Sequence, residues 1–254
     1  MALPRRLSHG EEATLVEHLE ELRVRMFVCL GALVAGGVVG FIFHHRIIHW
    51  LILALPHSHR QLLTLSPGEP FMTSIWVSLY AGLLLALPVI LWQLWAFLIP
   101  AFDPGHERML RWLVLLATVL LVAGVAFGYF VALPSATNFL TNYDNSIYDI
   151  QIRARDYLSF AVKVLIGMAI VFELPIFVIG LTRLGVLSTQ TLRTKRRIGY
   201  FLVACVAVAL PGVDPVTTTF EAVPLAVLYE LSIWLSVLLD RRAERAQAAA
   251  TAGT

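Results

Sequence analysis

Long apolar runs separated by short polar segments make up the chain, and the lengths of the runs set its class. Met26 to Phe43, Phe71 to Ile99, Trp112 to Leu133, Tyr157 to Thr182, Ile198 to Val213 and Val216 to Leu239 are almost free of charge. A helix rises about 1.5 Å per residue and the hydrocarbon of a bilayer is about 30 Å thick, so runs of this size predict membrane-crossing helices. Six spans in an all-α polytopic protein are expected. The fifth reaches only about 24 Å and needs thinned bilayer or a covering neighbour. Pro88, Pro134, Pro175, Pro211 and Pro224 lie in or at the ends of these runs. They predict kinks or stops whose freed carbonyls neighbouring groups must satisfy.

Before the first run, residues 1–25 are polar and acidic with no apolar core, so the run that follows reads as a span and not as the core of a cleaved leader. Within this segment Leu15, Leu19, Leu22 and Met26 recur every three to four positions, a stripe expected to lie along the membrane surface. Glu17, Glu20, Glu21, Arg23 and Arg25 occupy the other face. Their spacing predicts helical Glu20 to Arg23 and Glu21 to Arg25 pairs, each worth about 0.2 to 0.5 kcal/mol. The domain reading is therefore an amphipathic segment over 1–25, a membrane domain over 26–239, and an Ala-rich tail over 240–254 that is expected to be unordered.

Basic residues give the orientation. Fourteen, among them Arg23, Arg108, Arg183, Arg197 and Arg241, fall on the side of the two termini; Arg46, Arg60, Arg153 and Arg155 fall on the other. Both termini are accordingly expected in the cytoplasm, with the longer loops at 44–70 and 135–156 outside.

Two charges interrupt the fourth run. Lys163 sits about 9 Å from its outer end, where its stem can carry the amine to the interface, and about 15 Å from Glu173, too far to pair with it. Glu173, in Phe172-Glu173-Leu174-Pro175, lies about 24 Å from Tyr157. A charge at such depth costs about 2.5 to 3.5 kcal/mol, so the acid is expected to hold its proton and to face a cavity, a partner or a substrate path. The alternative is a neutral carboxyl hydrogen-bonded between helices for packing alone.

Composition agrees: 58% of the 254 residues are hydrophobic, 14% are charged, and the mean hydropathy is +0.77, the values of a membrane protein. The net charge of +2, without a basic patch interleaved with aromatics, gives no reason to expect a nucleic-acid partner. Cys29 and Cys205 both fall inside runs and support neither a disulfide framework nor a metal site. The chain holds no phosphate-binding Gly-rich loop and no His-Glu-x-x-His. All eight histidines lie outside the span interiors, which disfavours an intramembrane protease. His44, His45, His49, His57 and His59 cluster in the first outer segment, where they read as wet interfacial side chains.

Two polar clusters remain, His18-Leu19-Glu20-Glu21-Leu22-Arg23 before the first span and His106-Glu107-Arg108 between the second and third. With them go Pro88-Val-Ile-Leu-Trp-Gln93, Trp95-Ala-Phe97-Leu-Ile-Pro100-Ala101, Phe127-Gly-Tyr129-Phe130 with Pro134, Tyr157-Leu-Ser-Phe160, Phe172-Glu173-Leu-Pro175, and Pro224 with Leu228-Tyr229-Glu230. In this order and spacing the chain resembles the TatC subunits of the twin-arginine protein translocase. The resemblance implies a cupped six-helix receptor in the inner (plasma) membrane of a prokaryote, without cofactor, metal or catalytic activity. It implies binding of the Arg-Arg signal peptides of folded precursors, assembly with itself and with the single-span partners TatA and TatB, and use of the proton-motive force.

By the same resemblance, Glu21 and Glu107 would hold the signal's arginines and Arg23 would support them. Gln93, Phe97, Tyr129, Glu173 and Asp214 would lie along the concave face or near its ends. Forked guanidinium suits carboxylates at a partly desolvated surface, where lysine makes only point contacts. The family's Thr-Pro-Pro-Asp followed by Ser-Gln is replaced here by Leu210-Pro211-Gly212-Val213-Asp214-Pro215 and Thr217-Thr218-Thr219, with Glu221 as an extra acid. Thr218 or Glu221 would then dock the partner helix; alternatively Glu221 sits in wet interface, favoured by the helix dipole, and docks nothing. The rival function is a proton-coupled secondary transporter with a midplane site at Glu173. Against it stands the lack of repeated halves with matching Gly/Pro-broken spans.

Overall fold

Residues 15–98, 107–183, 187–210 and 214–252 are described by the structure, a computed structural model, with the side chains of 15–18, 98, 107–111, 183, 239 and 241–252 excluded. The apolar runs fold as helices α1 (Leu15–Ile42), α3 (Glu69–Leu98), α4 (Glu107–Phe127), α6 (Ala154–Phe172), α7 (Leu174–Arg183), α9 (Arg196–Ala209) and α10 (Pro215–Ala252). Shorter helices α2 (His44–Leu53), α5 (Leu133–Asn142) and α8 (Thr189–Thr194) fill the connections.

Among the described residues, five stretches are long and apolar enough to cross a membrane: Leu19–Ile42, Glu69–Phe97, Trp112–Asn142, Ala154–Thr182 and Pro215–Leu238. Helix α9, in the run expected to be the fifth span, has 14 residues, a length of about 21 Å, and is not among these five.

Several expectations change. The Leu15 stripe forms no separate surface helix, because α1 runs without a break from Leu15 into the first span. The third run does not stop at Leu133. A π-helical turn over Gly128–Ala132 absorbs one register step and α5 carries the helix on to Asn142. Within the stretch expected as an outer loop, buried hydroxyls bond back along the helix, Thr137 to the Leu133 carbonyl at 2.9 Å and Thr141 to the Thr137 carbonyl at 2.7 Å. Pro88 and Pro224 sit inside helices that continue past them, whereas Pro175 coincides with the α6/α7 break. Pro211 lies outside the described residues. The tail expected to be unordered is helical to Ala252, in keeping with the high helix propensity of its alanines.

Glycine sets how α1 meets α3. A Cβ on Gly36 would stand 2.5 Å from the Gly82 carbonyl oxygen, and one on Gly40 would stand 2.6 Å from the Ser78 carbonyl oxygen. Only bare backbone permits this approach, the packing mode that small residues allow between helices in lipid. The remaining surface of α1, including Phe27, Leu30, Val34 and Val38, is exposed and suits an acyl environment.

The ends of α3 are about 36 Å apart from Glu69 to Gln93, and the two ends differ. At the Glu69 end the connections on either side are clamped together. Leu63 pairs with Arg153 as an isolated parallel bridge, the Leu63 N–H donating to the Ile152 carbonyl at 2.9 Å and the Ala154 N–H to the Leu63 carbonyl at 2.8 Å. The Arg153 guanidinium donates to both Glu69 oxygens, at 2.8 and 3.1 Å. That bond to carboxylate raises the affinity of Arg153 for its proton above the ordinary guanidinium value. The Tyr157 hydroxyl donates to the Leu51 carbonyl, fastening α2 to the head of α6.

Candidate functional site

At the opposite end, the start of α1 meets the last turns of α3. Glu21 and Arg25 are one helical turn apart, and the expected pair forms: Arg25 Nε and Nη2 both donate to Glu21 Oε1, at 3.0 and 2.5 Å. The same guanidinium reaches across the sequence, its Nη1 donating to Gln93 Oε1 at 3.0 Å. One cation thus ties a carboxylate of α1 to an amide of α3. Arg25 and Glu21 side chains remain 22% and 32% exposed, so the group is open to an incoming ligand.

Arg23 is not part of this group. It is exposed and lies over the Phe27 ring, 5.8 Å from its centroid. Glu20 is exposed, and the expected Glu20 to Arg23 pair is not among the ion pairs of the described residues, which join Arg25 to Glu21, Arg153 to Glu69 and Arg196 to Glu230. Glu107 opens α4, which follows α3 at this same end, but its side chain lies outside the described residues, as do His106, Pro100 and Ala101. Phe97 is half-buried one turn beyond Gln93. Arg25 was legible in the sequence only as a helical partner of Glu21. Its bond to a residue 68 positions away carried no sequence signal.

Glu173 occupies the break between α6 and α7. Its N–H donates to the Ile170 carbonyl at 3.1 Å, a tightened last turn, and Pro175 has no N–H to continue the ladder. The side chain is 3% exposed, and neither carboxyl oxygen has a hydrogen-bond partner among the described residues. It does not stand open on a concave surface. It is enclosed near the packed pair Phe127 and Phe172, whose ring centroids are 5.7 Å apart. Further along α7, Trp95 packs with its ring tilted at 5.7 Å from Phe177 and covers Gly180, where a Cβ would collide with the indole.

Tyr129 lies in the π-helical turn, half-buried, and donates to the Trp50 carbonyl at 2.8 Å, which places it at the Glu69 end. Asp214 is the cap of α10: its carboxylate accepts from the Thr217 N–H at 2.7 Å and from the Thr217 hydroxyl at 2.5 Å. The Thr218 hydroxyl, half-buried, donates back to the Asp214 carbonyl at 3.0 Å. Glu221 does not sit at a wet surface of the chain. It is fully enclosed, with both oxygens unpartnered among the described residues.

The profile of the Sec-independent protein translocase protein (TatC) family matches residues 17–224. The chain is 33% identical over 224 residues to the TatC protein of Carboxydothermus hydrogenoformans, covering 88% of this chain and 92% of the relative. It is 35% identical over 240 residues to that of Aquifex aeolicus, covering 92% and 99%. The chloroplastic protein of Arabidopsis thaliana is also 35% identical, over 92% of this chain and 69% of the plant protein. A crystal structure described as the twin-arginine translocase receptor TatC, in detergent, superposes with a TM-score of 0.77 at 32% identity, covering 86% of this chain and 99% of the other.

Proposed function

Because the chain belongs to the TatC family of Sec-independent protein translocase proteins, we propose that it is the signal-peptide receptor and core subunit of a twin-arginine translocase. The observation that carries this reading is the partly open carboxylate of Glu21, linked through Arg25 to Gln93 at the end where Glu107 begins α4. An Arg-Arg sequence carries two forked, permanently charged groups. Two carboxylates at a half-desolvated helix end match them with charge-assisted, bidentate bonds.

In this reading both termini and the α7 to α9 connection face the cytoplasm, supported by the bias of basic residues, and α9 is a sixth, short span beside α10. The subunit does no bond chemistry of its own. It presents folded precursors to a complex containing further copies of itself and the single-span partners TatA and TatB, in a bilayer energised by the proton-motive force. Thr218 is the candidate to meet a partner helix, since it remains half-buried where Glu221 is enclosed. A solute transporter working at Glu173 finds no support in the family.

The test is binding of an Arg-Arg signal peptide and its Lys-Lys variant to the full chain. Glu107→Gln and Glu21→Ala are each expected to weaken Arg-Arg binding by about 1.5 to 3 kcal/mol, the scale of a hydrogen bond to a charged group, with Glu20→Ala much milder. Equal binding of the two peptides by the parent protein would sink the reading.

A further inference from the structure

The carboxylate that the proposed function assigns to an incoming arginine already holds one of the chain's own. Arg25 places two N–H groups on a single oxygen of Glu21 and a third on Gln93, so three of its five N–H groups are held between α1 and α3. This is the recognition chemistry expected of a signal-peptide arginine, performed in cis. We propose that Arg25 is an internal stand-in for the signal peptide: an autoinhibitory contact that the Arg-Arg sequence displaces from Glu21 when it binds. The inference rests on the reading of Glu21 as a binding carboxylate.

The arrangement has the features such a contact needs. It is close enough to form without rearrangement, because the two residues are one turn apart on one helix. It is also reachable, since both side chains keep about a quarter to a third of their surface open. Arg25 can leave without being stranded, because its side chain is already partly exposed and long enough to carry its charge toward water. Arg23, the neighbouring arginine, faces Phe27 and does not compete. Only the fraction of receptors in which Arg25 has released Glu21 is ready to bind, and the apparent affinity falls by that fraction. Displacement costs every cationic ligand the same, so the contact sets a threshold: weakly held single cations stay off, and a ligand that recovers several charge-assisted bonds at once gets on.

The experiment measures the affinity of an Arg-Arg signal peptide for the full chain and for Arg25→Lys, Arg25→Gln, Glu21→Gln and the double variant Glu21→Gln/Arg25→Lys. Arg25→Lys keeps the positive charge and loses the fork. It is therefore expected to tighten binding by roughly fivefold, and Arg25→Gln by more. If removal of charge alone mattered, only Arg25→Gln would tighten, and that result overturns the proposal. Weaker binding by Arg25→Lys also overturns it, marking Arg25 as a support for Glu21 and not a competitor. The gain from Arg25→Lys must vanish in the Glu21→Gln background, since the contact acts through that carboxylate; a gain that persists refutes it. A parent protein that does not prefer Arg-Arg over Lys-Lys removes the underlying function and this inference together. A preference retained with no gain in Arg25→Lys removes this inference alone.

Discussion

Glu173 is a carboxyl that the fold encloses with no hydrogen-bond partner among the described residues, and replacing it tests whether it is kept for transport. The side chain is 3% exposed, and both oxygens lack hydrogen-bond partners among the described residues. A buried polar group left unsatisfied costs about 1 to 3 kcal/mol. Leucine is similar in size and removes both oxygens, so Glu173→Leu is expected to stabilise the folded protein by about that amount. For a chain of this length each kcal/mol moves a thermal midpoint by about 2 to 4 °C, readable on the purified protein in detergent. Glu173→Gln keeps a donor and an acceptor and stays near the parent value. Export should move the other way. If the carboxyl waits for a polar group of an inserted signal peptide or partner helix, Gln retains much of the transport. Leu and Ala impair it while Arg-Arg binding at the Glu21 end survives. An obligatory proton carrier would instead be abolished by Gln, which cannot cycle a proton. Export by the Leu variant at the parental rate, measured beside signal-peptide crosslinking, would remove Glu173 from the mechanism.

Orientation is checked by cysteine labelling in a background lacking Cys29 and Cys205: a membrane-impermeant reagent applied outside should modify a cysteine near Asn145 and spare one near Arg196, and the reverse pattern overturns the topology. Gly82→Leu should separate α1 from α3, because even a Cβ there meets the Gly37 Cα at 2.6 Å. A cost of about 1 to 3 kcal/mol is expected, together with weaker Arg-Arg binding as Glu21 on α1 moves away from the end of α3 that leads to Glu107, and unchanged binding would show that the site does not depend on this helix contact. Glu69→Gln removes the charge that Arg153 grips and should raise protease cleavage between residues 57 and 69 without lowering Arg-Arg binding; a loss of binding would mean the clamp and the site are coupled.

The class, the apolar cores of the long spans and the Glu21 to Arg25 pair were determined by the sequence alone, for one reason. In a bilayer every backbone group must be bonded within its own helix, so run length translates directly into structure, and an i to i+4 pair needs nothing beyond that helix. The bond from Arg25 to Gln93, the clamp of Glu69 on Arg153 84 residues away, and the full enclosure of Glu221 were decided only by the tertiary structure. Each depends on which face of one helix meets which face of another. Hydropathy is silent on that when lipid is as apolar as a neighbouring helix, and here Gly36, Gly40 and Gly82 bring α1 against α3 through backbone contact that no hydrophobic period records.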